Sequence, residues 1–518
     1  MSEILFQYQK IEPTTWAYLS SLLIVGLYFK FNRFWSVRNL DLCLVILLAP
    51  GLLMVHYGGQ VTRRPPATAG VDPRPADLET KVDLAMDAPP ASVSLDDPAE
   101  IAGDVAASPA PSSMPPAGES KAATETPAST PSNLPNLSAE KARSVMHFGY
   151  LWLLSVSLIL LIRLLCDPTM VRRPLLEPNL SNGGLLFIGC ALLVFLMSNV
   201  LASQVSVDEL SGDPQATSKE KAPFHTAGPG YFFLNQLPKI PTLPQGQLSK
   251  DDPRLAYATV ARTMAVISHL AVISALVIIG LWHFDNIKLG IGAATMYLLL
   301  PYTAQMTGHV NHVLPAALLL WAVVFYRRPA LAGIFIGLSV GAVYYPIFLL
   351  PLWISFYWQR GVVRFLAGLI GAVAVLAMCL LLVDKGFANF GDNLRLMFGL
   401  FTPNMTSKNM VGVWSDYFGW ESIWRLPCIA ISICLSAFFA LWPAQKNLGT
   451  LLSCSAAMMV AVQFWHAYGG GTYIAWFMPL MLLTIFRPNL EDRIALTVLG
   501  EGWLSKRRSL LAPINRAA

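Results

Sequence analysis

Long apolar runs, separated by short polar or basic connections, recur along the whole 518-residue chain. They fall at about 16–29, 40–57, 146–165, 183–201, 258–282, 289–306, 312–326, 330–345, 347–358, 365–383, 426–442, 450–468 and 471–486. A helix needs about 20 mostly apolar residues to cross a bilayer, because its backbone polar groups must be satisfied within the segment. The pattern therefore predicts an all-α polytopic integral membrane protein with about 13 transmembrane helices.

The polar stretches divide this pattern into blocks. An N-terminal transmembrane hairpin over 1–57 is followed by a linker over 58–145, where Pro, Ala, Ser and acidic residues leave too little apolar surface to offset the entropy of ordering, so disorder is expected. Transmembrane helices follow over 146–201, then a loop with an interfacial aromatic segment over 202–257, a transmembrane core over 258–383, a second loop over 384–425, C-terminal helices over 426–486 and a tail over 487–518.

Basic residues set the expected orientation. Alternation from an outside N-terminus puts Arg163, Arg172, Arg173, Lys288, Arg327, Arg328, Arg360, Arg364, Lys446 and the SKRRS tail on the cytoplasmic side, as the positive-inside bias requires. The first run is preceded by Glu3, Lys10 and Glu12 and followed by Lys30, Arg33 and Arg38; without a basic n-region or a small-residue cleavage site it reads as a retained anchor and not a signal peptide. The linker and both large loops then face outward, and a membrane protein with long external loops is expected to work on that face.

Composition agrees, with 54% hydrophobic and 13% charged residues against about 25% charged in soluble domains. A net charge of +5 without a basic stripe gives no footprint for nucleic acid. The seven cysteines lie in or beside apolar runs without paired spacing, and are expected to be small core hydrophobes.

Polar side chains within the apolar runs are few, and each is a functional candidate because burying it in lipid is costly. Arg262 and His269 are seven residues apart and share a helical face. Tyr302, Gln305, His309 and His312 fall on one stripe if the sixth helix continues through Gly308, and Gln463 with His466 repeats the arrangement near the end of the twelfth. A buried histidine equally serves to bond a neighbouring helix. No cofactor is expected. A divalent metal on His309 and His312 would need further ligands, and no carboxylate or thiol stands at helical spacing from them. Carboxylates are nearly absent from the runs, which argues against an ion-coupled transporter. Asp208 and Glu209 lie a few residues beyond the fourth run, where either could act as a general base over an outward cavity.

The stretch LLLPYTAQMTGHVNHVLPAALLLWAVVFYRRPALAGIFIGLSVGAVYYPIFLLPLW carries a Gly-x-x-Asn turn (Gly308, Asn311), a basic-Pro turn (Arg327, Arg328, Pro329), an A-G-x-x-x-G-L helix (Ala332, Gly333, Gly337, Leu338) and an L-L-P turn (Leu349, Leu350, Pro351). Over about 60 residues it resembles the polyprenyl-phosphate-dependent GT-C glycosyltransferases, especially the bacterial mannosyltransferase-like branch. The resemblance implies a GT-C-like core with extra N-terminal helices, a polyprenyl-phosphate-linked sugar as partner, an extracytoplasmic acceptor and a catalytic carboxylate in the loop after the first core helix. Asp208 or Glu209 fills that place if the fourth run is that helix, and transfer would invert the sugar. The branch often has a Lys near the end of the A-G-x-x-x-G-L helix, where this chain has Tyr344 and Tyr345. The phosphate contacts then fall to Arg262, His309, Asn311, His312, Lys385, Arg395 and Lys408, with Gln305, Tyr344, Tyr345 and His466 lining the cavity. A lipid or polysaccharide transporter and a non-catalytic membrane scaffold are the rival readings.

Overall fold

The computed structural model describes residues 12–63, 138–170, 176–202, 254–359, 361–383, 410–444 and 446–488. The helices are α1 (Pro13–Tyr28), α2 (Val37–Arg63), α3 (Ala139–Cys166), α4 (Asn182–Ala202), α5 (Arg254–Trp282), α6 (Ile287–Leu299), α7 (Pro301–Gln305), α8 (Val310–Val324), α9 (Pro329–Ala342), α10 (Leu350–Tyr357), α11 (Val362–Val383), α12 (Arg425–Leu441), α13 (Leu448–Ala461) and α14 (Met478–Phe486). Among the described residues the only pairing of extended backbone is a single parallel bridge between Val411 and Tyr468.

Among the described residues, five helical stretches are long and apolar enough to cross a membrane: Val37–Thr62, Glu140–Thr169, Asn182–Leu201, Thr259–Trp282 and Val362–Cys379. Most of the other apolar runs fold into shorter or interrupted helices, and proline explains several of the breaks. Leu300, which precedes Pro301, is extended at φ −57° and ψ 133° because the proline ring excludes the helical conformation from the residue before it. The expected sixth helix is thereby split into α6 and α7. Helix also extends into both ends of the expected linker, since α2 runs to Arg63 and α3 starts at Ala139.

Small residues set the closest approaches. A Cβ on Gly333 would lie 2.1 Å from the Phe365 carbonyl oxygen, and one on Gly368 would lie 2.1 Å from that of Ala330. The A-G-x-x-x-G-L pattern is thus the face on which α9 meets the backbone of α11. Gly51, Gly58 and Gly149 do the same between α2 and α3. At the turn between α5 and α6, Gly280 meets Gly290, and the Asn286 side chain accepts the backbone N–H groups of Lys288 and Leu289 at 3.0 and 3.4 Å.

Helix α13 is buried along its whole length, as a helix apolar on all sides should be. It packs against α3, α10, α12 and α14 and forms the centre of the bundle. Of the seven cysteines only Cys454, on this helix, is buried. Cys43, Cys166, Cys190 and Cys434 are exposed on the outside of the bundle, so the core role expected for the cysteines holds for one of them.

A carboxylate does lie inside an apolar run. Asp41, 1% exposed, pairs with Arg163 at 2.8 Å, and Arg163 pairs with Asp167 at 3.0 Å. Arg487 stands 3.8 Å from Asp167, and its backbone carbonyl accepts from Arg38 at 3.0 Å. This cluster ties α2 and α3 to the end of α14. Asp41, in the second turn of α2, meets Arg163 in the last turn of α3.

Candidate functional site

The site is built where chain breaks bring α7, α8 and the 462–476 segment together. Helix α7 ends at Gln305 and His309 takes an extended conformation as the N-cap of α8, so the helix does not continue through Gly308. The expected single stripe of Tyr302, Gln305, His309 and His312 is replaced by a turn, which still brings three of these side chains into contact. The Tyr302 hydroxyl hydrogen-bonds His312 Nδ1. The His309 and His312 rings meet edge to face at 5.4 Å.

From His312 the contacts run through stacked rings. Tyr473 lies 4.4 Å from His312 at 17° and 4.6 Å from His466 at 14°. Trp476 stacks on Tyr473 at 4.4 Å and on His466 at 5.7 Å, and its indole N–H donates to the Asn311 carbonyl at 3.2 Å. Tyr345 approaches His466, Trp476 and Trp465 at 5.1, 5.3 and 5.0 Å.

The 462–476 segment holds its shape through its glycines and a buried arginine. Gly469 and Gly471 have φ of 77° and 93°, which side-chain-bearing residues rarely adopt. The Gly471 N–H donates to Gln463 Oε1 at 3.2 Å and the Tyr468 N–H to His466 Nδ1 at 3.0 Å. Arg425, 6% exposed, donates through Nε and Nη2 to the Trp465 carbonyl at 3.3 and 3.2 Å. The Val411 N–H donates to Ala467 at 2.9 Å and the Gly469 N–H to Val411 at 2.9 Å, docking the 410–415 stretch onto this segment. The Tyr150 ring of α3 lies against Gly412 and Gly469, and His147 stacks on Tyr417 at 4.0 Å. His147 and Arg163 are separated by about 24 Å along α3 at 1.5 Å per residue, so this site and the Arg163 cluster occupy opposite ends of the bundle.

His309, Asn311, His312, Tyr345 and His466 thus converge. Tyr344 sits beside them, half-buried, with its ring 6.1 Å from Tyr345. Gln305 is half-buried on α7, and Arg262 is half-buried on α5. His269, on the same face as Arg262, is a structural brace: its Nε2–H donates to the Thr307 carbonyl at 3.0 Å and its Nδ1 accepts from the Tyr297 hydroxyl at 3.1 Å. Asp208, Glu209, Lys385, Arg395 and Lys408 lie outside the described residues. Among the described residues no three His, Cys, Asp or Glu side chains gather at metal-binding distance.

Sequence reasoning missed Arg425, Trp465, Tyr473 and Trp476. The one signal for the last two was the Gly469–Gly471 triplet, which marks a turn that can place neighbouring aromatics against an adjacent helix.

The model of glycosyltransferase family 87, a GT-C-type membrane family, matches residues 243–464, a little under half of the chain. The matched stretch contains Arg262, the α7–α8 turn, Tyr345 and Arg425, and ends two residues before His466. No curated protein and no solved structure matches the chain. The match makes this stretch similar to a membrane glycosyltransferase family, and the spanning-length helices support a multi-pass membrane protein.

Proposed function

We propose that the protein moves a sugar from a polyprenyl-phosphate donor to an acceptor outside the cytoplasm, with inversion at the anomeric carbon. The observation that carries this reading is the convergence of His309, His312, Tyr345 and His466, within or just beyond a stretch similar to a glycosyltransferase family. In this account about 13 spans place the site on the outer face, the N-terminus is outside, the C-terminus is cytoplasmic, and the core is that of the mannosyltransferase-like branch.

The chemistry is a single displacement. The acceptor hydroxyl oxygen attacks the anomeric carbon while Asp208 or Glu209 takes its proton. The bond from that carbon to the phosphate oxygen breaks, and the electron pair leaves with the polyprenyl phosphate. Arg262, His309, Asn311, His312, Lys385 and Arg395 stabilise the charge developing on the phosphate, because fixed donors in a low-dielectric site act more strongly than water does. Gln305, Tyr344, Tyr345 and His466 line the space for the sugar.

The test is sugar transfer by purified protein from a panel of polyprenyl-phosphate sugars, with Asp208→Asn and Glu209→Gln beside the unaltered chain. Loss of a general base costs about 10²- to 10⁴-fold in rate, so one variant should fall by that factor without loss of folding. Transfer at full rate in both variants would remove this loop from the mechanism.

A further inference from the structure

Three hydrogen-bond donors on one short segment have no acceptor among the described residues. His466 is 1% exposed, and because its Nδ1 accepts the Tyr468 N–H, the neutral ring carries its proton on Nε2, which meets no acceptor. Gln463 is 0% exposed, its Oε1 accepts the Gly471 N–H, and its Nε2 has no partner. The indole N–H of Trp465, 8% exposed, is in the same position. Buried donors are almost always satisfied in folded proteins, and three exceptions within four residues call for an acceptor beyond the described residues.

The chemistry of the group selects the ligand. All three donors are uncharged; the His466 ring lies among Tyr345, Tyr473 and Trp476, and the Trp465 ring meets Tyr345. A phosphate would draw a guanidinium toward itself, yet Nε and Nη2 of Arg425 are directed at the Trp465 carbonyl and Nη1 at Met410 Sδ. A polyprenyl chain brings no acceptors. The hydroxyl and ring oxygens of a sugar are neutral acceptors, spaced along a ring whose apolar faces suit aromatic surroundings.

We propose that Gln463, Trp465 and His466 donate hydrogen bonds to the oxygens of the donor's sugar and so determine which sugar is accepted. This rests on the reading of the chain as a sugar-transferring enzyme and names the residues that would read the sugar. Arg425 is a positioning residue that holds the Trp465 backbone and with it all three donors.

The experiment compares binding of a polyprenyl-phosphate hexose with that of the same polyprenyl phosphate lacking sugar, by calorimetry on the full chain in nanodiscs. Unaltered protein should bind the sugar-bearing lipid about tenfold or more tightly, since one or more hydrogen bonds are gained. Gln463→Met keeps the length of the side chain without its N–H groups. His466→Asn keeps an oxygen that can accept from Tyr468 without the Nε2–H. Each should erase most of the preference while leaving affinity for the sugar-free lipid unchanged. Equal affinity of the unaltered protein for the two lipids overturns the proposal even if no variant folds, and so does a preference that survives in both variants. A preference that the variants erase, in a protein that transfers no sugar to any acceptor, supports the sugar site and contradicts the transferase reading.

Discussion

Trp476 donates its indole N–H to the backbone carbonyl of Asn311 at 3.2 Å, joining the first turn of α8 to a turn 165 residues further along the chain. The ring is 2% exposed and stacks on Tyr473 and His466, so one side chain fixes the distance between the histidine pair of α8 and the 462–476 segment. Replacing it tests whether the two halves of the site depend on each other. Trp476→Phe should keep part of the stack and lose the hydrogen bond, at a cost of about 1 kcal/mol for the bond plus a smaller packing loss. Trp476→Ala should cost about 3 to 5 kcal/mol. Thermal unfolding of the detergent-solubilised protein measures both.

The contact between α9 and α11 makes a sharper steric prediction. Gly333→Ala forces a methyl against the Phe365 carbonyl, where backbone and not a movable side chain must yield, and should destabilise by about 1 to 3 kcal/mol. Gly371→Ala, with nothing within 4 Å of the added Cβ, should be neutral or stabilising by up to about 1 kcal/mol. Unfolding midpoints of the two variants should move in opposite directions or differ clearly in size.

The Arg163 cluster predicts non-additivity. The Arg163 and Asp41 side chains are 9% and 2% exposed, so Arg163→Met alone strands a buried carboxylate and should cost about 3 to 5 kcal/mol. Adding Asp41→Leu removes that charge, while Asp167, the second partner of Arg163, keeps Arg487 at 3.8 Å. The double variant should recover most of the loss, and a double-mutant cycle on unfolding free energies reads the coupling.

Orientation is tested by labelling. In a background without native cysteines, Ser138→Cys at the start of α3 should react with an impermeant maleimide added outside. Arg328→Cys, in the basic turn before α9, should react only after the membrane is opened. Both positions are exposed in the structure, so the reverse pattern would invert the assigned topology.

Much of the fold was legible because lipid imposes one strong rule, and long apolar runs without charge have few alternatives to helix. The α9–α11 contact could be read from Gly333 and Gly337, since only small residues permit such close backbones. The α6–α7 break was less visible: Pro301 was there to be read, but the apolar run continues past it and periodicity alone does not register the extended conformation imposed on Leu300. His309, His312 and His466 stood out as polar groups in apolar surroundings. Tyr473 and Trp476 did not, because aromatic residues are ordinary in membrane helices and their role depends on a glycine turn that brings distant segments together. Asp41 was hidden for a similar reason, since its partner Arg163 is 122 residues away.

The most direct test of the account is sugar transfer itself. Purified protein in liposomes is supplied with a polyprenyl-phosphate hexose and an acceptor extract, and free polyprenyl phosphate and the anomeric configuration of the product are followed by mass spectrometry and NMR. The account predicts release of polyprenyl phosphate coupled to an inverted glycosidic linkage, with His309→Ala and His312→Ala each weakening donor engagement. A donor that stays intact across the panel while the protein remains folded, or a product that retains the donor's configuration, would contradict it.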